Sequence, residues 1–198
     1  MSDNGALVWI DCEMTGLDLA QDALVEVAVL ITDSELNVLG EGLDIVIATP
    51  EAQLDAMGDF VRNMHTTSGL LDEIRASQVT MAQAEEAILA YVKAWVPEAD
   101  KAPLAGNTIS TDRAYLERDM PELEGYLHYR NVDVSSIKEL ARRWYPKVFY
   151  QAPKKAGNHR ALADIIESIR ELRYYRETIL VAQPGPSSEQ IQQVVAGL

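Results

Sequence analysis

Residues 7–13 read Leu-Val-Trp-Ile-Asp-Cys-Glu: a continuous apolar run that ends on one acid and meets a second two positions later. Such a run is a strand buried on both faces, here residues 7–10 ending at Asp11. Thr15 and Gly16 break it. Leu24–Thr32, LVEVAVLIT, is a second strand rich in branched side chains. Residues 36–47 form a third, with Gly40 and Gly42 as bulge or bend positions. The short link at residues 33–35 makes the last two a hairpin. Further on, Pro103–Gly106 and residues 132–134 read as short strands set among helices. Three consecutive strands followed by helices alternating with short strands predict one α/β domain built on a mixed sheet flanked by helices.

The helices carry their own punctuation. Thr49 followed by Pro50 reads as an N-cap and a first-turn proline, and Leu54, Met57, Val61 and Met64 then recur at helical spacing. Thr80 with Gln83 forms a capping box ahead of the apolar stripe Met81, Ala84, Ile88, Tyr91 and Trp95. A brief helix over residues 111–119 stops before Pro121. Ser136 with Glu139 forms a second capping box, followed by Ile137, Leu140, Ala141 and Trp144. Asn158 caps a long helix carrying Leu162, Ile165, Ile166, Ile169 and Leu172. From Gln183 the chain turns polar and turn-rich (QPGPSSEQ). A single domain over residues 1–182 and a flexible tail over 183–198 are therefore expected.

Composition excludes several classes. The 198 residues, 47% hydrophobic and 24% charged, suit one globular domain with a real core. No apolar run reaches the roughly 18 residues of a membrane span, and no basic segment precedes the first apolar run as a secretory signal requires. A single cysteine, Cys12, forms no internal disulfide and fits a reducing, cytoplasmic setting. Its place on the strand between Asp11 and Glu13 turns it to the opposite face, as a small core residue. The net charge is −14, and it is unevenly spread. The first hundred residues hold 3 Lys and Arg against 19 Asp and Glu; the remainder hold 14 against 12. A chain this acidic is poorly suited to gripping long nucleic acid through its phosphates.

The chemistry lies in a few acids and one histidine. Asp11 and Glu13 share one face at the end of the first strand. Like charges that close drive a proton back on unless a cation intervenes, and a hard divalent ion with oxygen ligands removes the conflict. Taken alone, D-x-E fits solvated acids better than a metal site. Asp112, five residues after Asn107, reads by itself as an acid complementing a helix N-terminus. His159 and Asp164, five apart, do not share a face of a regular helix, so they converge only if His159 sits at or before the first turn. Read singly, His159 is a surface histidine at a helix start.

The combination is far more specific than its parts. D-x-E on a first strand, an Asp about a hundred residues on, and H-x4-D opening a late helix resemble the DEDDh 3′→5′ exonucleases of the ribonuclease H-like (DnaQ-like) superfamily. The stretches WIDCEMTGLD, NMHTTSGL, GNTISTDRAYL, YRNVDVSSIKEL and NHRALADIIESIRELRYYR resemble, in the same order, those of the oligoribonuclease family. The resemblance implies a ribonuclease H-like mixed five-stranded sheet flanked by helices. It also implies hydrolysis of short oligoribonucleotides, dinucleotides included, from the 3′ end to nucleoside 5′-monophosphates. Two Mg²⁺ or Mn²⁺ ions would be held by Asp11, Glu13, Asp112 and Asp164. Asp11 would bridge both ions, Glu13 and Asp164 would complete one site, and Asp112 would serve the other. His159 would be the general base. Two such ions about 3.5–4 Å apart clamp the attacking and leaving oxygens of an in-line displacement.

The same resemblance assigns the substrate contacts. Leu17 is implied as a wedge beside the bases, and Phe60 as a stacking residue where the family often has Trp. His65, Thr108, Arg130, Ser135 and Ser136 are implied to cap the 5′ phosphate, Thr108 standing where Ser is common. Tyr129 is implied to cross a homodimer interface into the neighbouring active site. No membrane partner is implied. Read from the residues alone, Leu17 and Phe60 are also compatible with ordinary packing, Arg130 with a surface ion pair, and Ser136 with an N-cap. Competing readings are a related exonuclease acting on tRNA or DNA ends, a non-catalytic binding module, and a metal-dependent phosphatase.

Overall fold

The computed structural model describes residues 5–154 and 160–198. Five strands, β1 (Leu7–Met14), β2 (Leu24–Thr32), β3 (Val38–Val46), β4 (Pro103–Gly106) and β5 (His128–Asp133), form one sheet in the order β3-β2-β1-β4-β5. The first three pair antiparallel, and β4 and β5 are added parallel to β1. The expected mixed five-stranded sheet is therefore present. β1 runs past Asp11 to Met14 because its antiparallel register with β2 continues through Asp11↔Ala28 and Glu13↔Glu26. Both acids are thus strand residues.

The helices in chain order are α1 (Glu51–Asp55), α2 (Asp59–Ser68), α3 (Leu70–Ala76), α4 (Met81–Trp95), α5 (Ile109–Asp119), α6 (Pro121–Tyr126), α7 (Val134–Trp144), α8 (Pro146–Tyr150), α9 (Ala161–Ile179) and α10 (Ser188–Ala196). They cover both faces of the sheet. Val8, Ile10 and Cys12 of β1 pack on the side of α4 and α5, with Ala84, Ile88, Val92, Tyr115 and Leu116. Trp9 packs on the other side with Ala28, Leu30 and the α9 residues Ala161, Ile165 and Ile169. Strand alternation explains the division, and it turns Asp11 and Glu13 toward the α9 side with Trp9. Trp9 also donates its buried indole N–H to Thr32 Oγ1 at 2.9 Å.

Local expectations meet mixed outcomes. The Thr80–Gln83 capping box opens α4 as read. Thr49 is not a cap, because its hydroxyl donates to the Ile47 carbonyl and the N-cap falls on Pro50. The periodic residues from Leu54 to Met64 do not lie on one helix. An extended Gly58 starts α2, and a left-handed Gly69 separates α2 from α3. Ser136 does not cap α7. Asp133 holds that place, its carboxylate accepting the Ser135 N–H at 2.9 Å. The N-cap of α9 is Arg160, and Asn158 lies outside the described residues. The tail is not featureless: α10 opens on a capping box from Ser187 and Gln190, which satisfies its first amides locally although the helix buries no residue.

Two glycines let the layers close. Gly42 adopts a φ of +82°, and a Cβ there would lie 2.9 Å from Leu162 Cδ1 of α9. At Gly106 a Cβ would meet the Ile10 carbonyl at 3.0 Å and Ile109 Cδ1 at 2.8 Å, so β4 reaches β1 only without a side chain there. Gly106→Ala is expected to cost about 1–3 kcal/mol through overpacking, checked by urea unfolding. An unchanged midpoint would mean that the neighbouring chains shift freely.

Candidate active site

The Asp11 and Glu13 carboxylates leave β1 on the face that α9 covers, and Asp164 descends from the first turn of that helix. Oxygen atoms of the three carboxylates lie within 4.8 Å of one another. Glu13 is buried, while Asp11 and Asp164 are half-buried. Three hard oxygen donors converging at that separation suit a divalent cation rather than a soft metal, so the donor set fits the ion that the sequence calls for.

Asp112 stands beside this group rather than within it. It is 6% exposed in the first turn of α5, and its Oδ1 accepts the Cys12 N–H at 3.0 Å. The reason lies in the sheet. β4 is short and pairs with β1 only at Val8 and Trp9, so the amide of Cys12 lies beyond its reach and takes a carboxylate instead. That bond puts Asp112 against the strand between Asp11 and Glu13. His159 lies outside the described residues.

Burial and like charge dominate the electrostatics. Burial pushes the Glu13 carboxyl up to about 8; Glu26, Asp164 and Asp112 push the same way, and Arg160 pulls against them. Burial likewise raises Asp112 to about 7, opposed by the Cys12 N–H and aided by Asp133. Glu26 is raised to about 7, by burial first and by Asp44 second, against the Ala161 N–H and Arg160. Cys12 is raised well above the usual thiol range by burial and then by the nearby Asp112 and Asp11 charges, so it is an inert core thiol.

The residues assigned to substrate contacts occupy varied places. Leu17, in the loop after β1, and Phe60, on α2, are 78% and 79% exposed. His65 is fully buried, with Nε2 2.9 Å from the Met14 carbonyl, which ties α2 to the end of β1. The Tyr115 hydroxyl donates to the Gly16 carbonyl at 3.1 Å and anchors the start of the Leu17 loop. Thr108, Ser135 and Ser136 meet in one cluster around the Asp133 carboxylate. The Thr108 N–H donates to Asp133 Oδ1 at 3.0 Å, and Ser136 Oγ donates to Oδ2 at 3.2 Å. Thr108 itself is left-handed, with φ +54°. Tyr129 and Arg130 are exposed on the edge strand β5, the guanidinium 5.3 Å from the Tyr129 ring centre.

The sequence reading missed Glu26, Arg160 and Asn107. Glu26 is fully buried within β2 and takes Arg160 Nη2 at 2.9 Å. A lone acid inside LVEVAVLIT was its signal. Asn107 accepts from Ser135 Oγ at 3.1 Å and donates to Ser168 Oγ at 2.7 Å, joining the β4–α5 turn to α9. A single polar residue after a glycine carries no such message.

Comparison with known proteins places this geometry. A family model described as exonuclease, of the RNase T type, matches residues 8–172. The fold also resembles solved structures of Escherichia coli exonuclease I. A single-stranded DNA complex of that enzyme aligns with a TM-score of 0.69 at 16% identity, over 89% of this chain and 41% of that one. The chain thus belongs to the exonuclease family. Its relatives narrow the membership. It is 65% identical over 195 residues to the oligoribonuclease of Streptomyces griseus, covering 98% of this chain and 96% of the relative. With the oligoribonuclease of Cutibacterium acnes the figures are 63% over 190 residues, 96% and 94%. Within the exonucleases the family is that of the oligoribonucleases.

The acid cluster has a direct thermodynamic consequence. Without a cation, Glu13 keeps its proton to about 8 when folded but loses it near 4.5 when unfolded. The unfolded chain then binds fewer protons across that window, so stability falls as pH rises through it. A divalent cation binds the ionised form, so its affinity rises with pH. Melting temperatures in chelator are expected to drop between about pH 6 and pH 8, and Mn²⁺ is expected to raise them most at the higher pH. A chelated protein that grows more stable over that interval would contradict the assignment.

Proposed function

We propose that this protein is a 3′→5′ exoribonuclease that hydrolyses short oligoribonucleotides, dinucleotides above all, to nucleoside 5′-monophosphates. The observation that carries the reading is the approach of the Asp11, Glu13 and Asp164 carboxylates to within 4.8 Å of one another. Relatives named oligoribonuclease over nearly the whole chain support it.

Asp11, Glu13 and Asp164, with Asp112 beside them, would hold two Mg²⁺ or Mn²⁺ ions. Bound there, such ions supply Lewis-acid stabilisation of the oxygens exchanged at phosphorus. The carboxylates bind and orient. His159 is assigned as the general base that takes the proton of the attacking water, a task for which imidazole is the side chain of choice near neutral pH.

Leu17, in the loop after β1, and Phe60, on α2, are exposed and are assigned to the bases. His65, Thr108, Arg130, Ser135 and Ser136 are assigned to the 5′ phosphate. A guanidinium fork suits phosphate oxygens, and Arg130 is exposed to receive them. Tyr129 is assigned to a homodimer interface at the β5 edge, where it is 73% exposed. A body of net charge −14 repels long polyanions, and a substrate with one or two phosphates feels that repulsion least. Among the described residues no helix is long and apolar enough to cross a membrane. A cytoplasmic setting is part of the same proposal.

Turnover on a ribodinucleotide is expected to exceed that on a longer RNA or DNA strand, measured by product chromatography. Faster cleavage of the long strand would defeat the short-substrate reading. Asp11→Ala and Asp112→Ala are expected to abolish hydrolysis with the fold retained, and His159→Ala to lower kcat by about 10²–10⁴-fold. Hydrolysis surviving both aspartate changes would place the reaction elsewhere.

A further inference from the structure

Arg160 opens α9, and its side chain is held between two other elements. Its Nε and Nη2 reach Glu26 Oε1 of β2 at 3.0 and 2.9 Å, and its Nη1 and Nη2 reach the two Glu73 oxygens of α3 at 2.7 and 2.8 Å. The other Glu26 oxygen accepts the Ala161 N–H at 3.2 Å, satisfying one of the first amides of α9. One turn on, the Asp164 N–H donates to the Arg160 carbonyl at 3.0 Å. Glu26 is the cross-strand neighbour of Glu13, so both side chains leave the sheet on the same face.

Burying a carboxylate as completely as Glu26 costs heavily unless it is paired, and an apolar pair in its place is often as stable or more so. Stability alone is therefore a weak reason for this arrangement. What it does provide is a fixed origin for α9, set by β2 directly beside Glu13.

We propose that Arg160 is a positioning residue: clasped by Glu26 and Glu73, it fixes the first turn of α9 so that Asp164 meets Asp11 and Glu13. This rests on the reading above, in which those three carboxylates hold the divalent cations. Arg160 also brings a cation to a region crowded with acids without occupying the site itself.

The test uses the full-length protein and two readouts: the Mn²⁺ dissociation constant by isothermal titration calorimetry, and kcat and KM on a ribodinucleotide at saturating Mn²⁺. Arg160→Gln is expected to weaken Mn²⁺ binding about tenfold, the scale typical of residues that orient metal ligands, with KM at saturating Mn²⁺ unchanged. Arg160→Lys is expected to restore most of the affinity, and Glu73→Gln to weaken it in the same direction by less. The double change Glu26→Gln with Arg160→Gln removes the buried Glu26 carboxylate together with its cationic partner. It is expected to keep the melting temperature of the parent but not its Mn²⁺ affinity, and it decides the matter if Arg160→Gln fails to fold. Parent-like Mn²⁺ binding by the folded double variant would overturn the positioning role. Asp164→Asn separates the two failures. If it binds Mn²⁺ like the parent, the cation site itself is misassigned and the positioning role falls with it. If it loses Mn²⁺ while the double variant does not, the cation site stands and only the role of Arg160 fails.

Discussion

The mutual repulsion of carboxylates is the constraint around which this molecule is arranged. Asp11, Glu13 and Asp164 bring oxygens within 4.8 Å of one another, with Asp112 against the same strand at Cys12 and Glu26 across from Glu13. In a partly buried setting such a group holds excess protons or a cation. The elevated values at Glu13 and Asp112, about 8 and about 7, express the first alternative. The hard donor set provides for the second.

The fold supplies the rigidity that this requires. Strand alternation puts Trp9, Asp11 and Glu13 on one face, and the packing of Trp9 against Ala161 and Ile165 brings α9 down over it. The same alternation sends Val8, Ile10 and Cys12 into the opposite core. One strand therefore anchors both layers and carries two of the acids. Gly42 and Gly106 make the approaches of α9 and β4 possible, since either position with a side chain would meet its neighbour within about 3 Å. The shortness of β4 leaves the Cys12 amide to Asp112. In each case a requirement of the backbone places an acid.

Much of this was legible in the linear pattern, and the exceptions share a cause. The β2 and β4 boundaries and the Thr80 capping box follow from local composition, which decides them without help. The ends of β1, α1 and α7 do not. Glu13 belongs to a strand because β2 runs alongside it. Thr49 is lost as a cap because the Ile47 carbonyl takes its hydroxyl. Ser136 yields to Asp133, whose carboxylate also gathers the Thr108 amide from another part of the chain. The α10 helix is the opposite case: its Ser187–Gln190 box is wholly local, but Pro184, Gly185 and Pro186 just ahead of it carry a stronger turn signal. The D-x-E pair was visible because its spacing is short. The Glu26–Arg160 pair spans 134 positions, and no periodicity links such residues.

The uneven charge along the chain acquires a structural meaning from that pair. The first hundred residues contain only three cationic side chains and also contain Asp11, Glu13, Glu26 and Glu73. Their local repulsion has little basic partner within their own half. Relief arrives on α9, from the half that carries a slight positive excess, through Arg160, one turn ahead of Asp164. The helix that adds a third carboxylate to the cluster thus brings its own counter-charge, directed at Glu26 and Glu73 rather than at the ligands. An arginine aimed at Asp11 or Glu13 would compete with a divalent cation for the same oxygens. Placed one strand over, it offsets the surrounding charge and leaves the converging oxygens available for binding.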